Sequence, residues 1–183
     1  MIEQFVIDPP WPQRRGGIGH RNTRPFQKAR AFPYATMAID EIFDLLDGEV
    51  FTRAAPTHNV FLWGIDKFLH AGDGAMLERG YKLHCRFVWD KRNGPAPAFT
   101  IRYAHEYLSW FYKPGLLPVD RRRRGKFSTL IREEPREHSR KPDAAYELVR
   151  ALYPRSARLD VFSREKREGW EQYGDQPDHF TID

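Results

Sequence analysis

Residues 2–11, IEQFVIDPPW, decide how the rest of this chain is to be read. Ile2–Ile7 reads as a short buried strand, and Pro9 and Pro10 end it by removing two backbone donors. Just past the strand stand an acid, two prolines and an aromatic: Asp8, Pro9, Pro10 and Trp11. A stiffened strand exit explains only the prolines. The full combination calls for a chemical role, because an open α/β sheet holds its ligands at the carboxyl ends of its strands.

Outward from that strand, helix and strand signals alternate. Pro12–Pro33 is rich in Gly and Arg and has no hydrophobic periodicity, and loops of that length are commonly functional. Thr36 predicts the cap of a helix with Ile39, Ile42, Phe43 and Leu46 on one face. Asn59–Trp63 predicts a buried strand, and Ile65, Phe68, Leu69 and Met76 an amphipathic helix closed by Gly80. Tyr81–Trp89 alternates as a strand, with Leu83, Cys85 and Phe87 on one side. Tyr103–Tyr112 and Ser128–Arg132 predict further strands, with a basic turn at 121–126 between them. Pro142 suits the first turn of a helix whose inner face is Ala145, Leu148, Val149 and Leu152. Arg158–Ser163 reads as a last strand, followed by an irregular tail. The alternation implies an α/β layered sheet in one domain spanning 1–183.

The chain is 40% hydrophobic and 14% aromatic, which argues for a packed core and against disorder. No apolar run approaches the ~20 residues that span a bilayer. The opening MIEQFVIDPPW carries Glu3 and lacks a long apolar core, which argues against a signal peptide. Cys85 is the one cysteine, so no internal disulfide or cysteine-rich zinc site is expected, and the seven scattered His suggest no metal cluster. The expectation is an intracellular, cytoplasmic protein with no membrane partner.

The net charge of +5 is unevenly spread. Residues 9–39 contain six Arg and Lys and no acid, and 121–126 (RRRRGK) add five more, leaving the remainder net acidic. These segments fall in the loops 12–33 and 113–127. They read either as solvated loops or as a polyanion footprint, with Arg14, Arg15, Arg121, Arg122, Arg123 and Arg124 on phosphates.

Group transfer to the exocyclic amine of an aromatic base accounts for all four residues at 8–11. Such an amine is a poor nucleophile, because its lone pair is delocalised into the ring. A carboxylate and a backbone carbonyl accepting its two hydrogens would draw the nitrogen towards tetrahedral geometry. Consecutive prolines aim a carbonyl without competing N–H groups, and the indole can stack on a flipped base. Position and electrostatics would carry most of the rate. Trp63, Trp89 and Trp110 read instead as core aromatics, His105 as structural, and Cys85 as a buried filler rather than a nucleophile.

With these residues in view, the chain resembles the MT-A70 family of adenine-N6 methyltransferases, almost end to end. Asp8–Trp11 matches the family's catalytic DPPW, and FPYATMAIDEI (Phe32–Ile42) is similar to the segment that follows it. FLWGIDKFL (Phe61–Leu69), FVWDK (Phe87–Lys91) and AHEYL (Ala104–Leu108) resemble its middle strands. EHSRKPDAAYELV (Glu137–Val149), RLDVFSR (Arg158–Arg164) and GWEQYGDQ (Gly169–Gln176) resemble its cofactor region, in order. The resemblance implies a Rossmann-like methyltransferase fold in circularly permuted order, catalytic strand first and cofactor strand last. It implies S-adenosyl-L-methionine as cofactor, contacted by Asp8, Lys141, Arg164 and Gln176, with Asp160 on the ribose hydroxyls. Tyr34 and Glu106 match active-site positions on the substrate side.

Three departures stand out: Asp160 where Glu is commoner, Asp175 where Asn is frequent, and only seven residues before Asp8, too few for an upstream family strand on the adenosine side. The expected activity is N6 methylation of a flipped adenine in DNA, favoured because a short chain of this kind looks like microbial or viral members. RNA N6-adenosine methylation and a non-catalytic nucleic-acid-binding partner subunit are the alternatives. A homodimer, or a heterodimer with a related subunit, is compatible with the family.

Overall fold

Isolated in sequence from every other strand, β1 (Ile2–Ile7) is buried along nearly its whole length because neighbours flank it on both sides. This computed structural model describes residues 1–13, 35–93, 101–137 and 140–180. After β1 come α1 (Ile39–Leu45), β2 (Ala54–Gly64), α2 (Asp66–Glu78), β3 (Lys82–Asp90), β4 (His105–Lys113), β5 (Leu130–Arg132), α3 (Asp143–Leu152), β6 (Arg158–Val161) and β7 (Glu171–Tyr173). The strands form one mixed sheet in the order β5-β3-β4-β2-β1-β6-β7. β4 pairs antiparallel with both β2 and β3, while the other pairings are parallel.

Alternation along the central strands sends side chains to two cores. Phe5, Ile7, Val60 and Leu62 pack with Ile42, Phe43, Phe68 and Met76 of α1 and α2. Val6, Phe61, Trp63, Trp89, Leu108 and Trp110 pack on the other face with Tyr146, Leu148 and Val149 of α3. Both faces being covered, Phe5, Val6 and Ile7 of β1 are apolar in succession rather than alternating with polar residues. Its one polar interior residue, Gln4, is satisfied by accepting from Asn59 Nδ2 at 2.9 Å across to β2. Trp63, Trp89 and Trp110 are core aromatics as expected.

The directions of the strands place the site. β1, β2, β3, β5 and β6 all end at one edge of the sheet, and β4, running the other way, begins there. In the β3–β4 register Trp89 faces Glu106 and Asp90 faces His105. The end of β1 and the start of β4 therefore meet at one edge. Glu133, just after β5, holds α3 at the same edge: the amides of Asp143 and Ala144 donate to its two carboxylate oxygens at 3.0 Å each. Lys141 is thereby brought over the sheet.

Several local expectations are corrected. The cap of α1 is Ala38, whose backbone N–H donates to Glu41 Oε2 at 2.8 Å, and not Thr36. β2 starts five residues earlier than the apolar run at Asn59, because its first half lies at the sheet's opposite edge. The tail is not wholly irregular, since β7 pairs parallel with β6. Cys85 is half-buried rather than enclosed, at a register shift in β3 between Leu83 and Cys85. Among the described residues, no helix is long and apolar enough to cross a membrane.

Candidate active site

Four charged side chains from distant parts of the chain form a row along this edge. Lys141 Nζ lies 3.0 Å from Asp8 Oδ1 and 3.0 Å from Glu106 Oε2. Lys91 Nζ donates to Glu106 Oε1 at 2.5 Å. The order is thus Asp8, Lys141, Glu106, Lys91, with signs alternating, so the buried charges balance. The two ammonium groups also rest over indoles, Lys141 at 5.5 Å from the Trp63 ring centre and Lys91 at 5.0 Å from that of Trp89. Burial would raise the Glu106 carboxyl, but the two lysines overcome it and hold the group down at about 2. Asp8 shares only one lysine and lies near Glu106, so burial wins and its carboxyl rises above the usual value. Burial likewise opposes the charge on Lys141, but Asp8 and Glu106 prevail and keep it a firm cation.

The turn after β1 is fixed from three sides. Trp11 is 4% exposed, stacks on Phe68 at 5.7 Å and donates from Nε1 to the Trp63 carbonyl at 3.1 Å. Gly72 of α2 allows this, since a Cβ there would stand 3.2 Å from the edge of the Trp11 ring. Buried in that way, Trp11 anchors the turn and is not the exposed plate that stacking on a base requires. The Pro9 carbonyl already accepts from the Trp11 N–H at 2.8 Å, and the Pro10 carbonyl from the Met37 N–H at 2.9 Å. The prolines do not leave their carbonyls free of N–H donors, although each keeps a second lone pair.

Two cavities meet at Asp8 and Pro9. One, of about 660 Å³, is walled by Trp63, Trp89, Lys91, Tyr103, His105, Glu106, Arg140 and Lys141 as well as by those two residues. The other, of about 550 Å³, runs past Pro10 between Met37 and Leu45 on one side and Phe162, Arg164 and Tyr173–Gln176 on the other. Arg164 Nε donates to Gln176 Oε1 at 3.0 Å, tying two walls of the second cavity together. Phe162 has φ of +60°, rare for an aromatic residue, and Gly174 packs so closely on it that a Cβ would lie 3.2 Å from the Phe162 Cα.

The structure thus brings together Asp8, Glu106 and Lys141, and separately Arg164 and Gln176, with Asp8 common to both cavities. It puts Lys141 in the wall of the first cavity, not the second. Asp160 lies elsewhere. It has no exposure, accepts from the Tyr146 hydroxyl at 3.3 Å, pairs with Arg167 at 3.4 Å, and lines neither large cavity. Burial outweighs Arg167 and pushes its carboxyl up to about 7. A ribose acid would need access that this position does not have. Arg121, Arg122, Arg123 and Arg124 are exposed in a short 3-10 turn and the residue after it; the amide of Asp120 donates to the Leu152 carbonyl at the end of α3, which starts beside Lys141. The basic turn therefore stands at the far end of a ten-residue helix, ~15 Å from the charged row. Tyr34, Arg14 and Arg15 lie outside the described residues.

Sequence reasoning missed Lys91, Phe162, Tyr146 and Arg167. Lys91 was visible as the end of FVWDK, but nothing local tells that it meets Glu106, fifteen residues on. Among the described residues no group of three or more His, Cys, Asp or Glu is placed to hold a metal ion.

Comparison with known proteins bears on the same residues. The MT-A70 family model matches residues 116–176. An N(6)-adenosine-methyltransferase MT-A70-like protein of Arabidopsis thaliana is 27% identical over 157 residues, covering 83% of this chain and 22% of the relative. An N6-methyladenosine RNA methyltransferase of Pyricularia oryzae is 28% identical over 188 residues, covering 96% of this chain and 47% of the relative. A type II methyltransferase of a Mycoplasma species is 23% identical over 152 residues, covering 81% and 62%. The chain spans between about a quarter and a half of the length of the adenosine-methyltransferase relatives. In these matches, and in the motifs at Asp8–Trp11, Lys141 and Arg158–Arg164, the chain is similar to MT-A70 methyltransferases.

Proposed function

We propose that this chain is an S-adenosylmethionine-dependent methyltransferase acting on the N6 amine of adenine in a nucleic acid. The observation that carries the reading is the meeting of two cavities at Asp8 and Pro9. A transfer between two bound molecules needs two sites with a common wall, and the common wall here is the family's catalytic motif. Both cavities have the size of ordinary small-molecule sites. The second suits an adenosyl cofactor by its chemistry, with apolar Met37, Leu45 and Phe162 to hold a ring and Arg164, Asp175 and Gln176 as polar partners. Bound there, S-adenosylmethionine would supply an electrophilic methyl group.

In the first cavity a flipped adenine would lie against Tyr103, whose ring is exposed. Lys141 holds Asp8 Oδ1, which leaves Oδ2 to accept one hydrogen of the amine. The second lone pair of the Pro9 or Pro10 carbonyl would accept the other. Because burial lifts the Asp8 carboxyl, it is also a fit acceptor for the proton that the methylated amine must shed. Lys141 thus serves the cofactor side through Asp8. The same reading takes the sheet as a Rossmann-like methyltransferase sheet in permuted order, supported by β1 and β6 lying side by side and parallel.

DNA stands as the first substrate of this proposal, because the type II methyltransferase is, of the relatives above, the one whose length this chain covers most fully. RNA is the second reading, favoured by the activity in the name of the Pyricularia oryzae protein and by its match to 96% of the chain. A non-catalytic subunit is disfavoured by the intact row from Asp8 to Lys91. The deciding experiment is transfer of labelled methyl groups to matched DNA and RNA oligonucleotides with and without adenine. Label should appear only on adenine-containing strands; incorporation without adenine would sink the chemistry, and the ratio between the two polymers assigns the sugar.

A further inference from the structure

The face of the sheet that carries Glu106 also holds a third opening, of about 420 Å³, at the far end of α3. Glu106, Leu108 and Trp110 alternate onto one face of β4. Trp110 therefore lies four residues from Glu106, about 13 Å along the strand at ~3.3 Å per residue. The inner wall is Phe87 and Trp110 with Cys85 beside them, and Phe127, 40% exposed, stands at the mouth with Arg123 and Arg124.

Two properties of these walls are unmet within the fold. Trp110 is only 4% exposed, yet its indole N–H has no hydrogen-bond partner among the described residues. Buried donors are seldom left so without a role. Arg121–Arg124 and Lys126 are exposed and make no ion pair with any described residue. The opening thus offers one accessible ring, Phe127, at its mouth and unneutralised cations at its rim.

We propose that this opening is a second nucleotide subsite, in which a base of the substrate strand stacks on the exposed Phe127 ring while the adjoining phosphates rest on Arg123 and Arg124. A nucleotide meets both features at once: a flat π-face for the Phe127 ring and anionic oxygens for the guanidinium groups. An acidic protein segment would meet the arginines alone. The inference rests on the nucleic-acid reading above. It adds that the strand is held at two points, separated by about four stacked nucleotides at ~3.4 Å each.

Binding of fluorescent single strands of about three and about ten nucleotides, each with and without adenine, tests this, because only the longer can span both points. The wild-type protein should hold the long strand at least ~10-fold tighter than the short one, as two linked binding points require. Arg123→Ser with Arg124→Ser, and separately Phe127→Ala, should bring that ratio towards one; both alter exposed side chains, and circular dichroism checks the fold. Cys85, the chain's one cysteine, provides a footprint: the long strand should slow its alkylation and the short strand should not. An unchanged ratio in both variants, or alkylation of Cys85 indifferent to the long strand, overturns the subsite. Protection of Cys85 by a Glu-rich peptide but not by the long strand would assign the opening to a protein partner and overturn it equally. Strands without adenine lack the first point, so their ratio should fall towards one while the long strand still protects Cys85; loss of methyl transfer with that protection intact would count against the proposed reaction and not against the subsite.

Discussion

The row Asp8–Lys141–Glu106–Lys91 and the turn 121–126 are both concentrations of charge, yet they are built in opposite ways. In the row every charge has a partner of opposite sign within 3.0 Å, and the side chains are largely buried. In the turn five cations stand exposed without an acid among the described residues to meet them. Closed electrostatics of the first kind fix a geometry, because in a poorly screened site each charge locks its neighbour. Open electrostatics of the second kind leave charge available to a polyanion, at little cost, because the solvent stabilises it until the ligand arrives. In the function proposed above, chemistry would belong to the first region and capture to the second.

Four substitutions test that division. Lys141→Met should have the largest effect, a loss of about 3–5 kcal/mol of stability, because it leaves the buried Asp8 carboxylate unpaired and Glu106 with Lys91 alone. If activity survives in the folded fraction, its acid limb should move to higher pH, since without Lys141 the Asp8 carboxyl, already raised, rises further. Denaturant titration with little change in midpoint would show the row to be far less closed than its distances imply. Asp8→Ala should lower turnover by at least ~100-fold while the protein stays folded, as removal of a preorganised acceptor for the amine predicts. Near-normal turnover at saturating substrate would remove Asp8 from the chemistry.

Replacing Arg121–Arg124 by Ser should leave stability within ~0.5 kcal/mol, as for other exposed positions. The fall of log affinity with log salt should flatten by ~0.7–0.9 for each phosphate that is no longer neutralised. Identical salt slopes in variant and wild type would reduce the turn to solvated loop. The smallest effect is expected at Asp160. Its carboxyl is raised from 3.8 to about 7, so the folded state bears a penalty that is fully present above about 7 and vanishes as pH falls to 3.8. Asp160→Asn should therefore be more stable than the wild type at pH 8 and flatten the profile across that window. A calorimetric loss of S-adenosylmethionine affinity, with no such gain, would restore the ribose role that the resemblance implies.

What could be read in advance follows from how far each property depends on neighbours in sequence. β1 and the motif after it were legible because a central strand and its exit are written in ten consecutive residues. α3 was legible because Pro142 and the spacing of Ala145, Leu148, Val149 and Leu152 are local signals. β7 was not, since three residues pairing on the sheet's outer edge leave no alternation to detect. The places of Asp160 and Trp11 escaped for another reason. Both residues are named by motif, but whether a motif residue faces a cavity or the interior is decided by Tyr146, Arg167, Phe68 and Gly72, which the motif does not contain. The run of arginines was plain in the sequence, and its distance from the site was not, because that distance is the length of a helix lying between them in space.

The reversed direction of β4 has a consequence for how such a protein can diversify. In an all-parallel sheet every loop entering a strand lies at the edge remote from the ligands. Here the segment entering β4, together with those leaving β1, β2, β3, β5 and β6, opens onto the same edge as Glu106. Insertions and deletions before His105 would remodel the rim around a substrate, whereas changes of length after Lys113 would act at the opposite edge. A lineage can therefore vary what it recognises through the first connection and where it grips through the second, with the paired charges between them left untouched.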